Sequence, residues 1–88
     1  MKLFSVRFSK EAWADYQSFL KNDRKTAERI VRLVDEIAIN PFKGFGKPEP
    51  LKYKLTGLWS RRIDNKNRLI YRIIDSVVIQ IVSCKGHY

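Results

Sequence analysis

The hydrophobic pattern of this chain changes period on a single eleven-residue segment, "PFKGFGKPEPL" over residues 41–51. That segment holds all three prolines and two of the four glycines, with Phe42, Phe45 and Leu51 left to anchor it, so it reads as an ordered loop. Ahead of it lie a short alternating stretch and two helical stretches. "LFSVRF" over 3–8 predicts a strand with Phe4, Val6 and Phe8 on one face. Ala12, Trp13, Tyr16, Phe19 and Leu20 predict an amphipathic helix over 10–21, capped by Ser9, with Trp13 and Tyr16 in the core. Asp23 caps a second helix whose stripe is Ala27, Ile30, Val31, Val34, Ile37 and Ala38, ending before Asn40-Pro41.

After the loop the period is two. "KYKL", the Thr56-Gly57 turn and "LWSRRI" read as a hairpin; "RLIYRII" and "VVIQIVSC" follow as two further strands. This order predicts one α+β domain over 1–88, an N-terminal strand and two helices packed on an antiparallel β-sheet. Alternation sets Trp59, Arg61 and Ile63 against Ser60 and Arg62, and Leu69, Tyr71 and Ile73 against Arg68, Ile70 and Arg72. With helices on one side, the other side carries Arg62, Arg68 and Arg72.

Charge narrows the partner. Eighteen basic residues against nine acidic give +9, of which +7 falls in residues 41–88. A field concentrated in one half suits a polyanion held by phosphate contacts. No apolar run approaches the roughly 18 residues of a membrane span, and "MKLFSVRFSKEAW" has no apolar core of an export signal. The lone Cys84 fits a reducing cytoplasm. A phosphate-binding P-loop is excluded, because Pro41 stands five residues before Gly46 and Lys47 is followed by Pro48. One histidine, one cysteine and scattered carboxylates lack metal-ligand spacing, so neither metal nor cofactor is expected.

What remains suits metal-free cleavage of a phosphodiester, in which an RNA 2′-hydroxyl attacks its own phosphate. That chemistry needs a base, an acid and a cation. Glu49, held between Pro48 and Pro50, is a rigidly presented carboxylate. Arg68 offers a guanidinium fork suited to phosphate oxygens. His87 is the only side chain that ordinarily titrates near neutrality, and the C-terminal carboxylate nearby favours its protonated form.

"GKPEPLK", "GLWSRRI", "RLIYRI" and the terminal "HY" occur in that order, preceded by "AWADY". Together they resemble the YoeB-type toxins of the RelE/ParE superfamily. The resemblance implies a RelE-like, microbial-RNase-like fold and a ribosome-dependent endoribonuclease that cuts mRNA at the A-site codon and so inhibits translation. By motif it implies Glu49 as general base, His87 as general acid and Arg68 on the phosphorane. Tyr88 would orient the base or phosphate, with Lys52 and Arg62 adding cationic contacts. It further implies a cognate YefM/Phd-like antitoxin with an acidic segment that folds on binding, and it is compatible with a homodimer. Asn67 stands where these toxins often carry histidine, and Lys85-Gly86 replaces a bulkier pair. A non-catalytic gyrase poison on the same fold and a plain RNA-binding module are the alternatives. A gyrase poison has no need to keep the Glu49, Arg68, His87, Tyr88 set, and an RNA-binding surface usually presents exposed aromatics for stacking, whereas most aromatics here fall on core-facing positions.

Overall fold

The computed structural model describes residues 3–86, so His87 and Tyr88 lie outside the described residues. Strand β1 (Ser5–Phe8) leads into helices α1 (Lys10–Asn22) and α2 (Arg24–Ile39). Beyond the loop come β2 (Glu49–Pro50), a 3₁₀ turn at Tyr53–Leu55, β3 (Trp59–Arg62), β4 (Arg68–Ile73) and β5 (Val78–Ser83). They form one sheet in the order β1-β5-β4-β3-β2. Strands β3, β4 and β5 are antiparallel neighbours as expected, and β2, formed by residues read from the sequence as loop, pairs antiparallel with β3. The N-terminal strand adds to them in parallel, Ser5 opposite Val78 through Phe8 opposite Ile81, which makes the five-stranded sheet mixed. A parallel pair cannot be closed by a tight turn, and everything between β1 and β5 serves as the crossover.

Capping residues fix where the helices begin. Ser9 Oγ accepts from the Ala12 amide (3.0 Å) and donates to the Val82 carbonyl (2.8 Å), tying the start of α1 to β5. Asp23 ends one helix and begins the next: its amide donates to the Phe19 carbonyl (2.7 Å), and its carboxylate accepts from the Thr26 amide and hydroxyl. The core is Ala12, Ile30, Leu33 and Ile37 from the helices against Leu69, Tyr71, Ile79 and Ile81 from the sheet, with Ile63 and Cys84 completing it.

Three sequence expectations change. Leu33 is fully buried while Val31 is exposed, because α2 seats the row Ile30, Leu33, Ile37 on the sheet and Val31 turns about 100° away from it. Trp13 is half-exposed, resting edge-on against Phe8 with ring centroids 5.6 Å apart and beside Tyr16, rather than in the core. "KYKL" is not a strand. The β2–β3 pairing runs from Glu49–Ser60 and Pro50–Trp59 to a last bond from the Leu51 amide to the Leu58 carbonyl (2.8 Å). Past it the chain winds tightly, the Thr56 amide (3.1 Å) and hydroxyl (2.6 Å) both donating to the Tyr53 carbonyl.

Cys84 is fully buried, its amide held by the Asp15 carboxylate at 3.1 Å. Burial, then the negative charge of Asp15, pushes its thiol up to about 12. Alkylation by iodoacetamide at neutral pH is therefore expected only as fast as the native protein opens, and rapidly in denaturant. A thiol that reacts in the native protein like free cysteine contradicts this packing. Because the folded thiol holds its proton longer than the unfolded one, its stabilising contribution is complete below pH 9.0 and is lost between there and about 12. Among the described residues no helix is long and apolar enough to cross a membrane.

Candidate functional site

The loop ahead of β2 is held by a buried cation. Arg61 lies on the core face between Trp59 and Ile63 and is fully buried. Its Nε donates to Tyr71 Oη (3.1 Å), Nη1 to the Phe45 carbonyl (3.0 Å), and Nη2 to the Lys43 (3.1 Å) and Asn40 carbonyls. Tyr71 Oη in turn donates to the Pro41 carbonyl at 2.6 Å. One buried guanidinium thus collects carbonyls from Asn40, Lys43 and Phe45 and ties the loop to the core. Burial pushes the Tyr71 hydroxyl's pKa up, so it stays a neutral donor. Gly46 closes the segment: its φ is +89°, and a Cβ there would meet Leu33 Cδ2 at 2.7 Å. Its carbonyl accepts from the Arg62 amide, and the chain enters β2 with Glu49 fixed beside β3.

On the opposite face the register builds the site. Residues directly across a ladder share a face, so Glu49, Ser60 and Ile70 form one row and Arg62 and Arg68 the next. Glu49 Oε1 and Arg68 Nη1 approach to 3.6 Å over β3, where the residue between their strands is the small Ser60. That separation is an ion pair rather than a hydrogen bond. With side chains 61% and 30% exposed, it adds little to stability and both groups are free to engage a ligand. Arg62 and Arg68, with Asp64 and Asn65, line a small polar depression. Arg72 shares their face but donates from Nε to Gln80 (2.9 Å) on β5. Lys52 stands exposed in the β2–β3 connection.

The β3–β4 turn reaches the tail. Asp64 accepts from the amides of Lys66 (2.8 Å) and Asn67 (2.7 Å) and from the Asn67 carboxamide. Burial alone would raise its carboxyl, but these donors and the Arg29 charge outweigh it and hold the carboxyl below its usual range. Asn67 Oδ1 accepts from the Gly86 amide (2.9 Å), and the Arg68 amide donates to the Gly86 carbonyl (2.8 Å). The last described residue is therefore bound to the strand that carries Arg68, and His87 follows it in sequence.

Of the residues expected from the sequence, Glu49, Arg62 and Arg68 come together. Among the described residues Lys52 forms no ion pair with Glu49, and the expectations for His87 and Tyr88 fall outside those residues. Sequence reasoning missed Arg61, although a charge on the apolar face of β3 was the signal for it. It also missed the bridging role of Asn67. Ser60 Oγ is buried with no hydrogen-bond partner among the described residues. Ser60→Ala is expected to leave chemical-denaturation stability unchanged or raise it by about 1 kcal/mol. A loss larger than that would mean the hydroxyl is paired.

A family model described as the YoeB-like toxin of bacterial type II toxin-antitoxin systems matches residues 8–88. The chain belongs to this family. It is 51% identical over 84 residues to the toxin YoeB of Mycobacterium bovis, covering 96% of this chain and 98% of the relative. A solved YoeB/ParE toxin from Agrobacterium tumefaciens superposes with a TM-score of 0.91 at 36% identity, covering all of both chains. Two Staphylococcus aureus structures, a YoeB dimer (TM-score 0.87) and a heterotetrameric YoeB–YefM toxin-antitoxin complex (0.86), each share 44% identity. Both cover 97% of this toxin and 98% of the chain compared.

Proposed function

We propose that this YoeB-like toxin is a ribosome-dependent endoribonuclease that cuts mRNA at the A-site codon and thereby stops translation. The observation that carries the reading is the carboxylate–guanidinium pair of Glu49 and Arg68, 3.6 Å apart on an open basic face, with Gly86 pinned to the strand of Arg68. In the reaction Glu49 takes the proton of the 2′-hydroxyl, and the 2′-oxygen bonds to the adjacent phosphorus. Arg68, supported by Arg62 and Lys52, stabilises the added charge on the phosphorane. The P–O5′ bond then breaks as His87 gives its proton to the leaving oxygen, yielding a 2′,3′-cyclic phosphate and a 5′-hydroxyl. Tyr88 orients the base or the scissile phosphate. No group outside the chain is needed for the proton balance.

The toxin acts in the cytoplasm as a single domain, and its antitoxin is a YefM/Phd-like protein. The antitoxin's acidic segment folds across the Arg62–Arg68 face, where it neutralises a toxin of charge +9. Slowed amide exchange in β3 and β4 on antitoxin addition supports this. Protection confined to the helices contradicts it. A second copy of the toxin joins in a homodimer, as in the Staphylococcus aureus YoeB structure.

The test is cleavage of a defined mRNA with and without programmed ribosomes, comparing wild type with His87→Ala. Cutting at the A-site codon only with ribosomes, lost in the variant, supports the reading. No cutting by folded protein under either condition overturns it in favour of a non-catalytic inhibitor.

A further inference from the structure

Tyr53 is 90% exposed, the most exposed of the large hydrophobic side chains among the described residues, and its backbone is left-handed at φ +58°. Both features are costly. A bulky residue gives up sterically favoured backbone at such an angle, and an aromatic ring left in water gains nothing from burial. The local structure nonetheless enforces the conformation. The Tyr53 carbonyl takes both the amide and the hydroxyl of Thr56, the Leu55 amide donates to the Lys52 carbonyl (3.1 Å), and the Leu58 amide to the Leu55 carbonyl (3.0 Å). Backbone strain held in place in this way clusters at functional sites.

Its location suggests the function. The 3₁₀ turn caps the β2–β3 connection, and Tyr53 is four residues from Glu49, so the two lie at most roughly 14 Å apart along the chain. Lys52 and Lys54 flank it. An exposed ring between two cations, within a few nucleotides of a phosphate-binding face, is how proteins hold single-stranded RNA: phosphates on the lysines, a base stacked on the ring. We infer that Tyr53 is a nucleobase-stacking platform for an unpaired nucleotide flanking the scissile phosphate. The turn aims the ring and Lys52 and Lys54 hold the backbone on either side. Stacking requires a π-face and no hydroxyl, so the subsite tolerates any base.

This inference rests on the nuclease reading, and the experiment separates the two. Cleavage on programmed ribosomes is measured at subsaturating toxin for wild type, Tyr53→Ala, Tyr53→Phe and Tyr53→Gly. It is repeated on mRNAs carrying one abasic nucleotide at each position flanking the cut. Expected are a loss of roughly ten- to a hundredfold for Tyr53→Ala, near-wild-type rates for Tyr53→Phe, and no loss of thermal stability in either. Tyr53→Gly is expected to raise the melting temperature, since glycine adopts this φ freely, while losing cleavage like the alanine variant. At one flanking position an abasic site slows the wild type but not Tyr53→Ala. Equal cleavage by wild type and Tyr53→Ala overturns the stacking role while leaving the nuclease intact. The same abasic penalty in both proteins at every position also overturns it. A wild type that cuts no mRNA overturns the nuclease reading and this subsite with it.

Discussion

Arg68→Ala is expected to lower A-site mRNA cleavage by roughly 10²–10³-fold, the usual effect of removing one preorganised group that meets transition-state charge. The melting temperature is expected to stay within a few degrees of wild type. The ion pair it breaks is 3.6 Å long and partly exposed, and pairs of that kind contribute at most about 1 kcal/mol. Arg68→Lys restores the charge but not the planar fork, so recovery is expected to be partial. The check is single-turnover cleavage on programmed ribosomes alongside thermal denaturation. Cleavage within threefold of wild type would remove Arg68 from the reaction, and a collapse of stability would make the residue structural.

The converse result is expected one strand away. Arg61→Leu deletes a fully buried guanidinium that serves four acceptors: buried Tyr71 Oη and the part-buried carbonyls of Asn40, Lys43 and Phe45. Buried acceptors left unpaired cost about 1–3 kcal/mol each. Partial relaxation of the loop makes a total near 3–5 kcal/mol reasonable. For a chain of this size that corresponds to roughly 15–30 °C in melting temperature. The loop it anchors delivers Glu49 to β3, so activity is expected to fall with the folded fraction. A variant that melts within about 5 °C of wild type would show that the loop is held by its own turns and by the Arg32–Phe45 stack, where the guanidinium lies 3.8 Å from the ring.

The contrast between adjacent arginines shows what the sequence conveys and what it does not. Period two puts Arg61 and Arg62 on opposite faces, and the register bears this out: Arg62 faces Arg68 and Arg61 faces Leu69. Alternation alone does not say that the core face holds a loop full of carbonyls for Arg61 to satisfy, because those acceptors come from residues 40–45. The "KYKL" error has a similar origin. Alternating residues make a strand only when a partner edge is present, and here a local hydroxyl and amide claim the Tyr53 carbonyl instead. The parallel placement of β1 was equally hidden, since no local signal links Ser5 to Val78. Glu49 and Arg68 were legible as residues from the motifs around them. Their contact was not, since it depends on Ser60 being the residue between their strands.

Asn67, where the sequence resemblance points to histidine, has a visible structural consequence. Its carboxamide joins Asp64 to Gly86, so the turn that precedes Arg68 also holds the end of the described chain. Gly86 is bound by hydrogen bonds to backbone and to a carboxamide, which need no ring at position 67.

The central claim, cleavage by the RNA's own 2′-hydroxyl on the ribosome, is tested most directly by placing a single 2′-deoxynucleotide 5′ of the mapped cut in an A-site-programmed mRNA. The account predicts that this substitution abolishes cleavage there and that the unmodified message yields a 5′ fragment ending in a 2′,3′-cyclic phosphate. Undiminished cutting at the deoxynucleotide, leaving a 3′-hydroxyl, would contradict it.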